Sequence, residues 1–405
     1  MKILQINCVY CIGSTGKIVY DIHSELQKQG IESVVCYGRG LKVDEPNVYK
    51  TCSEPYSKFN NMLTRFTGLM YGGCRLSTQR LINVIKREKP DVVHLHCLNG
   101  YFVNIYQLIN YLKSSGIKTV LTLHAEFMHT ANCGHALDCD KWMTGCGNCP
   151  RLRKETKSIL FDCTHKSWIK MKNAFDGFDE NLIVASVSPW LMERAKLSPI
   201  LADKHHCVVF NGVDTDVFHS YDAMELKKKH NITNEKVIFH ATAGFNSDPK
   251  HIKGGYYVLE LAKRLLKENI NAKIIVAGNY DATIVPPKNL IFLGIVTDQK
   301  LMAQYYSMAD VTLITSKKET FSMPVAESLC CGTPIVGFMA GAPEQIALPE
   351  YSGFVEYGDI DGLVTLVCKY LESSKKCSDV CENKSRDVFS KEVMCNEYCN
   401  LYTQW

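Results

Sequence analysis

The stretch KETFSMPVAESLCCGTPIVG, residues 318–337, contains a loop, a helix signal and the start of a strand. The run VTLITS before it is typical of a strand, and MPVAESLCCG is typical of a helix with Pro324 in its first turn, where proline is tolerated. TPIVGF then begins another strand. This order predicts a parallel βαβ unit, with Glu319 on the strand-to-helix loop and Glu327 near the start of the helix.

The same alternation extends over the whole chain, in two series. KILQIN, ESVVCYG, DVVHLHC, KTVLTLHA and NLIVASV predict strands separated by amphipathic helices, and a second series begins at KVIFHATAG. We therefore expect an α/β fold with two doubly wound, Rossmann-like domains facing across a cleft, divided as 1–208 and 209–384. Parallel sheets of this kind bind ligands at the carboxyl ends of their strands, and the motifs below fall at such ends.

Length and composition exclude several classes of protein. A chain of 405 residues is too long for one core, and 46 basic against 42 acidic residues give no reason to expect a nucleic-acid partner. The N-terminus lacks a signal-peptide pattern, and no run of about 18 apolar residues occurs. Because the 19 cysteines are scattered through apolar segments, as expected in a reducing compartment, we expect a cytoplasmic protein.

Two glycine-containing loops follow predicted strands and precede helices. CIGSTGK contains Gly13 and Gly16, and HATAGFNSDPKHIKGG contains Lys250 and Lys253. Free N–H groups at a helix start, close backbone approach at glycine and nearby cations all favour phosphate. A plain glycine-rich turn and a solvated charged loop remain open alternatives for these two segments.

The two glutamates of the opening stretch suit a hydroxylated ligand. Carboxylates at a strand end accept paired hydrogen bonds from vicinal hydroxyls of a sugar or ribose, and the backbone N–H groups of Thr320, Phe321 and Ser322 lie beside them in the sequence. Two solvated surface acids are the alternative.

Together these segments resemble the retaining nucleotide-sugar glycosyltransferases of family four, which have the GT-B fold and include bacterial polysaccharide and capsule enzymes. The resemblance rests on the E-x7-E pattern from Glu319 to Glu327, the glycine loop, the VVHLH and TLH strands, FNGVDTDVF, Lys253-Gly254 and GAPEQI, in that family's order. It covers nearly the whole chain. It implies transfer of a sugar from a UDP- or GDP-sugar to a glycan or lipid-linked saccharide acceptor.

The resemblance also implies a role for each matching residue. Glu319 would hold hydroxyls of the donor sugar, Glu327 the ribose and Lys253 the diphosphate, while His124 would lie near the transferring sugar. The remaining donor-binding positions would be Gly13, Gly16, Lys250, Thr320, Phe321 and Ser322. The final helix, within 385–405, would pack back on the N-terminal domain, with a simple cap on the second domain as the alternative.

The sequence departs from the family's pattern at two places. The arginine that usually precedes the lysine is missing, and Lys250 is the candidate to replace it; Ala125 and Glu126 follow His124 where relatives often have aspartate. Fixed cations and helix ends can stabilise a departing diphosphate, so we expect no catalytic divalent metal. The strand DVVHLHC adds His94, expected in the core, and His96, expected to reach the cleft.

A separate cysteine cluster predicts a structural metal. Cys133, Cys139, Cys146 and Cys149 are spaced C-x5-C-x6-C-x2-C, which suits a closed tetrahedral zinc site with no catalytic role. Free thiols or disulfides are the alternative.

The N-terminal domain, which should hold the acceptor, contains a candidate segment for membrane contact. Residues 60–89 combine Met62, Leu63, Phe66, Leu69 and Met70 with arginines and lysines, including Arg65 and Arg75. This pattern allows peripheral contact with the inner face of a membrane. An ordinary helix pair with its apolar side toward the sheet is the alternative.

Other functions stay open on the same fold. These are an epimerase or phosphorylase and a non-catalytic sugar-binding or regulatory protein. Release of nucleoside diphosphate without acceptor separates the enzyme from the binding protein.

Overall fold

The computed structural model describes residues 1–372 and 379–405, which form two compact units. The first unit contains Met1–Phe210 together with Met394–Trp405, and the second contains Asn211–Val393. Each unit is built on its own parallel sheet, so the predicted α/β fold with two Rossmann-like halves is confirmed.

In the described part of the first unit, seven parallel strands lie in the order β3-β2-β1-β4-β5-β6-β7. Their bounds are β1 Lys2–Asn7, β2 Glu32–Tyr37, β3 Val48–Lys50, β4 Val92–Leu95, β5 Lys118–Leu123, β6 Leu182–Ser186 and β7 His205–Val208. The helices are α1 Gly13–Lys28, α2 Glu54–Thr67, α3 Arg75–Glu88, α4 Ile105–Ser115, α5 Phe127–Thr130, α6 Leu152–Glu155, α7 Thr164–Phe175 and α8 Pro189–Lys196. The central strands are buried on both faces because helices cover both sides of such a sheet.

In the second unit, the described strands form a six-stranded parallel sheet in the order β10-β9-β8-β11-β12-β13. Their bounds are β8 Lys236–Phe245, β9 Ala272–Tyr280, β10 Leu290–Gly294, β11 Val311–Ile314, β12 Ile335–Phe338 and β13 Ser352–Val355. The helices are α9 Met224–Lys229, α10 Gly255–Lys267, α11 Gln299–Met308, α12 Met323–Cys330, α13 Pro343–Ile346, α14 Ile360–Glu372 and α15 Asp379–Phe389. The topology places β8 between β9 and β11, so the loops that leave β8 and β11 emerge side by side.

The last helix, α16 Lys391–Tyr402, returns to the first sheet. Met394, Tyr398 and Tyr402 are buried against apolar residues of the first unit, including Ile3 and Ile22. The structure therefore shows the predicted return of the C-terminal helix to the first unit. This helix does not form a simple cap on the second domain.

The preceding helix, α15, belongs to the second unit, where the Cys381 thiol donates to the Leu329 carbonyl over 3.6 Å. The returning segment therefore begins at Met394, later than the 385–405 range drawn from the resemblance. No helix in residues 1–372 or 379–405 is long and apolar enough to cross a membrane.

Candidate functional site

Lys253 and Glu319 meet at the carboxyl ends of β8 and β11. The Lys253 Nζ donates to Glu319 Oε1 over 2.6 Å, and both side chains are partly exposed. Their loops are also joined through the backbone, because the Lys317 N–H donates to the Ile252 carbonyl over 2.7 Å. An ammonium and a carboxylate that are 66 positions apart in sequence are thus held together where a ligand can reach them.

Each glycine of the pair after Lys253 allows a close backbone contact. Gly254 has a φ of +66°, and a Cβ added there would lie 1.9 Å from the Thr315 carbonyl oxygen. A Cβ on Gly255 would lie 2.6 Å from the Asn246 carbonyl oxygen. A larger residue at Gly254 would push the lysine loop away from the end of β11, and a larger residue at Gly255 would clash with the backbone that leaves β8.

The backbone of Glu319 is pinned to the segment after β12. Its N–H donates to the Ala340 carbonyl over 2.9 Å, and the Ala342 N–H donates to the Glu319 carbonyl over 3.3 Å. Glu344 stabilises that segment, since its carboxylate accepts from the N–H groups of Ala340 (2.9 Å) and Gly341 (2.8 Å). The backbone that carries the Glu319 side chain is therefore held in place, as a residue that orients a ligand requires.

Glu327 lies in the second turn of α12. Its hydrogen-bond partner is a residue that is distant in the sequence. The Tyr306 hydroxyl of α11 donates to Glu327 Oε2 over 2.9 Å. Burial and the neighbouring carboxylate raise the pKa of Tyr306 well above its usual range, so the phenol stays a donor. Tyr306 thus orients one oxygen of Glu327.

The loop between the two glutamates carries backbone strain. Ser322, immediately before α12, has a φ of +85°, an unusual conformation for a residue with a side chain. Phe321 is buried, with its ring centroid 6.3 Å from that of Phe389, so its side chain serves the core. Lys250 is exposed, and its N–H donates to Asp248 Oδ1 over 2.9 Å.

Gly13 and Gly16 lie in the first unit, at the start of α1. Gly13 has a φ of +66°, and the Cys11 N–H donates to the Gly16 carbonyl over 3.0 Å, which closes a tight turn. A Cβ on Gly16 would lie 3.1 Å from Val9 Cγ2. No side chain caps the start of this helix.

His124, also in the first unit, follows β5 and is 9% exposed. Its Nε2 lies 3.1 Å from His96 Nδ1, and burial lowers the pKa of His124 to about 4. The imidazole is therefore neutral at physiological pH. The expectation that His96 reaches open space was wrong, because His96 is 0% exposed.

Glu126, at the second departure from the family's pattern, is a buried structural anion. Its Oε1 accepts from Arg194 Nε and lies 3.5 Å from His129 Nε2, and its Oε2 accepts from the Ala136 N–H over 2.7 Å. Burial alone would raise the pKa of Glu126, but His129 and Arg194 together lower it to about 2. Glu126 thus connects α5 and α8 to the cysteine-rich loop.

The four predicted zinc ligands lie near one another. Burial raises the pKa of Cys133 and raises that of Cys146 to about 12, and the charges of neighbouring thiols within the four add to both shifts. Within the described ranges, however, no three His, Cys, Asp or Glu side chains are arranged to hold a metal ion. The Trp142 indole is buried and donates to the Cys139 carbonyl over 2.8 Å, which anchors the loop.

Comparison with known families gives two separate matches. Residues 15–144 match the model of "Glycosyltransferase Family 4", and residues 223–387 match that of "Glycosyl transferases group 1".

Relatives of known name align over nearly the full length. The chain is 22% identical to N-acetyl-alpha-D-glucosaminyl L-malate synthase of Bacillus anthracis, covering 98% of this chain and 96% of that protein. It is 21% identical to the protein named "Putative colanic acid biosynthesis glycosyl transferase WcaC" of Escherichia coli K12, covering 99% of each. Among solved structures, HepE from Anabaena in complex with UDP and glucose aligns over 100% of both chains, with a TM-score of 0.64 and 14% identity.

Proposed function

Because this chain belongs to the family-four glycosyltransferases with the GT-B fold and acts in glycan biosynthesis, we propose that it transfers a sugar from a nucleoside diphosphate donor with retention of anomeric configuration. The HepE structure with UDP and glucose supports a UDP-sugar as the first donor to test. The acceptor in this proposal is a glycan or a lipid-linked saccharide.

The observation that carries the proposal is the pairing of Lys253 with Glu319 at adjacent strand ends, with Glu327 on the helix that follows. One cation and two carboxylates match a ligand with a diphosphate at one place and vicinal hydroxyls at two others. A solvated surface pair would not need the glycine contacts at Gly254 and Gly255 or the strained Ser322.

The chemistry assigned to these residues is charge stabilisation and orientation. The bond between the sugar C1 and the donor phosphate oxygen breaks, and the acceptor oxygen forms a bond to C1 on the same face. The acceptor proton passes to the departing phosphate oxygen. Lys253 stabilises the charge that develops on that phosphate, and Glu319 holds the sugar hydroxyls so that C1 is presented to the acceptor.

A thermal-shift screen against UDP- and GDP-sugars tests this proposal and identifies the donor. A donor present at 100 times its Kd stabilises the folded protein by about 2.7 kcal/mol, so the true donor should raise Tm clearly above its competitors. Glu319→Gln should weaken the shift given by that donor. No shift with any UDP- or GDP-sugar would argue for a different ligand.

We propose that the protein meets a lipid-linked acceptor through peripheral contact with an anionic membrane. The contact is made by one surface of the first unit, called here the α2 patch. Its apolar members are exposed and come from α2 and from the loop after α6: Phe59, Met62, Leu63, Phe66, Ile159, Leu160 and Phe161. The two segments are joined, since the Ile159 N–H donates to the Arg65 carbonyl over 2.8 Å. Met70 is buried, whereas Met62, Leu63 and Phe66 are exposed.

The same part of the chain carries positive charge, on Lys58 and Arg65 of α2, on Lys154 of α6 and on Lys157 in the loop after α6. We expect the protein to bind phosphatidylglycerol vesicles at low salt and to leave them as salt rises. Leu63→Ser with Leu160→Ser should abolish co-sedimentation, and Arg65→Glu should weaken it at least roughly fivefold, since one basic side chain near such a surface contributes about 1 kcal/mol. Leu76→Ser, at an exposed leucine of α3, is the matched control and should bind normally. Equal binding to neutral vesicles, or none to either, would contradict the proposal.

Structural zinc remains a proposal that rests on the cysteine spacing and on the proximity of the four thiols. We expect about one zinc per chain in protein purified without chelator, and loss of that zinc in Cys146→Ser. Cys368→Ser, on α14, is the control and should retain the metal. Zinc-free wild-type protein by elemental analysis would rule the site out.

The same protein tests for a catalytic divalent ion. We expect initial rates to be unchanged by added magnesium or by EDTA, because Lys253 and the helix ends supply the positive charge. Strict magnesium dependence would contradict this expectation.

A further inference from the structure

A polar pocket of about 510 Å³ lies in the cysteine-rich part of the first unit. This volume falls within the range of roughly 300–1,000 Å³ that is typical of small-molecule sites. Five polar side chains line the pocket: Lys141, Thr144, Asn148, Asp162 and His165. All of these except Lys141 are exposed, so a ligand can reach them. None of the five has a role in the donor site at the ends of β8 and β11.

Two side chains of the pocket present hydrogen-bond acceptors. Asp162 Oδ2 accepts from the Cys149 N–H over 2.7 Å, and Oδ1 accepts from the N–H (2.9 Å) and the hydroxyl (2.6 Å) of Thr164. A carboxylate has about four lone-pair sites, so one remains for a ligand. His165 Nδ1 lies 2.7 Å from the Gly145 carbonyl oxygen. Because a carbonyl only accepts, Nδ1 carries the proton, and the lone pair of the neutral ring is on Nε2.

Lys141 and Asn148 add donors to the same pocket. The Lys141 Nζ donates to the carbonyls of Gly147 (3.3 Å) and Asn148 (2.7 Å). These two bonds use two of the three N–H groups of the ammonium. The side-chain amide of Asn148 brings both a donor and an acceptor. The pocket therefore presents donors and acceptors together.

This mixture of groups indicates the class of ligand. An anion would be repelled by the Asp162 carboxylate, and a cation would be repelled by the Lys141 ammonium. An apolar ligand would cover these polar groups without giving them partners. A hydroxyl group both donates and accepts, so a neutral ligand with several hydroxyls can pair with all of them. Saccharides have this chemistry.

The pocket borders the α2 patch. Asp162 directly follows Phe161, which is one of the exposed apolar residues of that patch. The loop that carries both residues is attached to the end of α2, because the Cys163 thiol donates to the Thr67 carbonyl over 3.3 Å. A ligand with hydroxyl groups at one end and an apolar chain at the other can therefore contact both surfaces.

We propose that this pocket, called here the Lys141 pocket, binds the saccharide part of a lipid-linked acceptor, while the α2 patch contacts its lipid. Asp162 and His165 accept hydrogen bonds from sugar hydroxyls, and Lys141 donates one. That the bound saccharide is an acceptor rests on the proposed function. Its binding here does not involve the donor site, so the two can be tested separately.

Saturation-transfer NMR of the full-length protein with the methyl glycosides of glucose, galactose, mannose and N-acetylglucosamine tests the pocket. At least one of them should bind. Asp162→Asn should weaken that binding at least about tenfold, because it removes a charged acceptor, and Asn148→Gly should weaken it about threefold, because it removes a neutral amide.

Asn269→Gly is the matched control for Asn148→Gly and should bind the glycoside like the wild type. Asn269 is also exposed, and its φ of +54° is close to the +46° of Asn148, so glycine is tolerated at both positions. Because the proposed zinc ligand Cys146 also lines the pocket, zinc content and Tm are measured in every variant. These values separate loss of the sugar contact from loss of metal or of the fold.

The octyl glycoside of the sugar that binds best tests the link to the α2 patch. Below its critical micelle concentration, it should bind at least about tenfold more tightly than the methyl glycoside, a gain for which burial of about two methylene groups is enough. Leu160→Ser, in the α2 patch, should return the octyl glycoside to the affinity of the methyl glycoside.

Four results would count against these assignments. Failure of the wild type to bind any of the glycosides, or equal binding in the wild type and both pocket variants, would overturn the proposal. Binding of inorganic phosphate that is lost in Lys141→Met would show an anion site instead. Equal affinity for the octyl and methyl glycosides would remove the lipid from the proposal. If the wild type releases no nucleoside diphosphate from any UDP- or GDP-sugar, the proposed function fails, while glycoside binding still decides whether the pocket binds saccharides.

Discussion

Glu319→Ala and Lys253→Ala are each expected to lower the rate of sugar transfer at least about tenfold, or roughly 1.4 kcal/mol of transition-state stabilisation. The two side chains are joined by a 2.6 Å hydrogen bond at the ends of β8 and β11. Removing Lys253 takes away the cation assigned to the departing diphosphate. Removing Glu319 takes away the acceptor assigned to the sugar hydroxyls and leaves Lys253 without its partner.

The measurement is kcat and KM for the donor in each variant, together with Tm. Both residues are on loops, so Tm should change little. Glu260 and Lys263 provide a matched control, because they form a 2.7 Å pair in the same unit on the exposed surface of α10. Their alanine variants should keep rates within about twofold of the wild type, since exposed pairs of this kind contribute little. Wild-type rates in Glu319→Ala would remove the assignment of the donor site.

Tyr398→Ala is expected to destabilise the protein by about 3–5 kcal/mol, the usual range for truncating a buried aromatic side chain. Tyr398 is 1% exposed, its ring centroid lies 4.6 Å from that of His94, and its hydroxyl is 3.0 Å from Thr122 Oγ1. The substitution therefore opens a cavity between α16 and the first sheet and leaves a buried hydroxyl short of one partner.

Urea unfolding of two further variants shows where the effect comes from. Tyr398→Phe should lose only about 1 kcal/mol, because the ring remains and one hydrogen bond is lost. Asn400→Ala, on the exposed face of the same helix, should stay within about 0.5 kcal/mol of the wild type. If Tyr398→Ala unfolds like Asn400→Ala, then α16 does not stabilise the first unit as described.

The meeting of Lys253 and Glu319 follows from the sequence because it depends on topology. Both residues come after strands in a βα series, and parallel strands end at the same edge of a sheet. The glycine pair is visible in the sequence, where it indicates close approach of a diphosphate, whereas the contact of Gly254 with the Thr315 carbonyl is known only from the structure. By contrast, β3 was not predicted, because three residues are too few for a periodic signal.

The groups that support the site were missed for a different reason. Tyr306 and Glu344 hold Glu327 and the Glu319 backbone through contacts between separate segments, which periodicity does not encode. Glu344 lies within the GAPEQI motif, so the sequence could have suggested a role for it. Nothing in QYYSMA distinguishes Tyr306 from the neighbouring Tyr305. The position of Glu126 just after His124 was noticed in the sequence. Its burial against Arg194 could not be predicted, because it depends on the packing of α8.

Proton NMR of the sugar's anomeric position, followed while the wild-type protein acts on an α-linked UDP- or GDP-sugar, tests the central claim most directly. The account predicts release of nucleoside diphosphate, slow without acceptor and faster with it, and an α configuration in the sugar first formed. Glu319→Gln should reduce both rates together. Release of a β-configured sugar, or no nucleoside diphosphate from any UDP- or GDP-sugar, would contradict a retaining nucleotide-sugar glycosyltransferase.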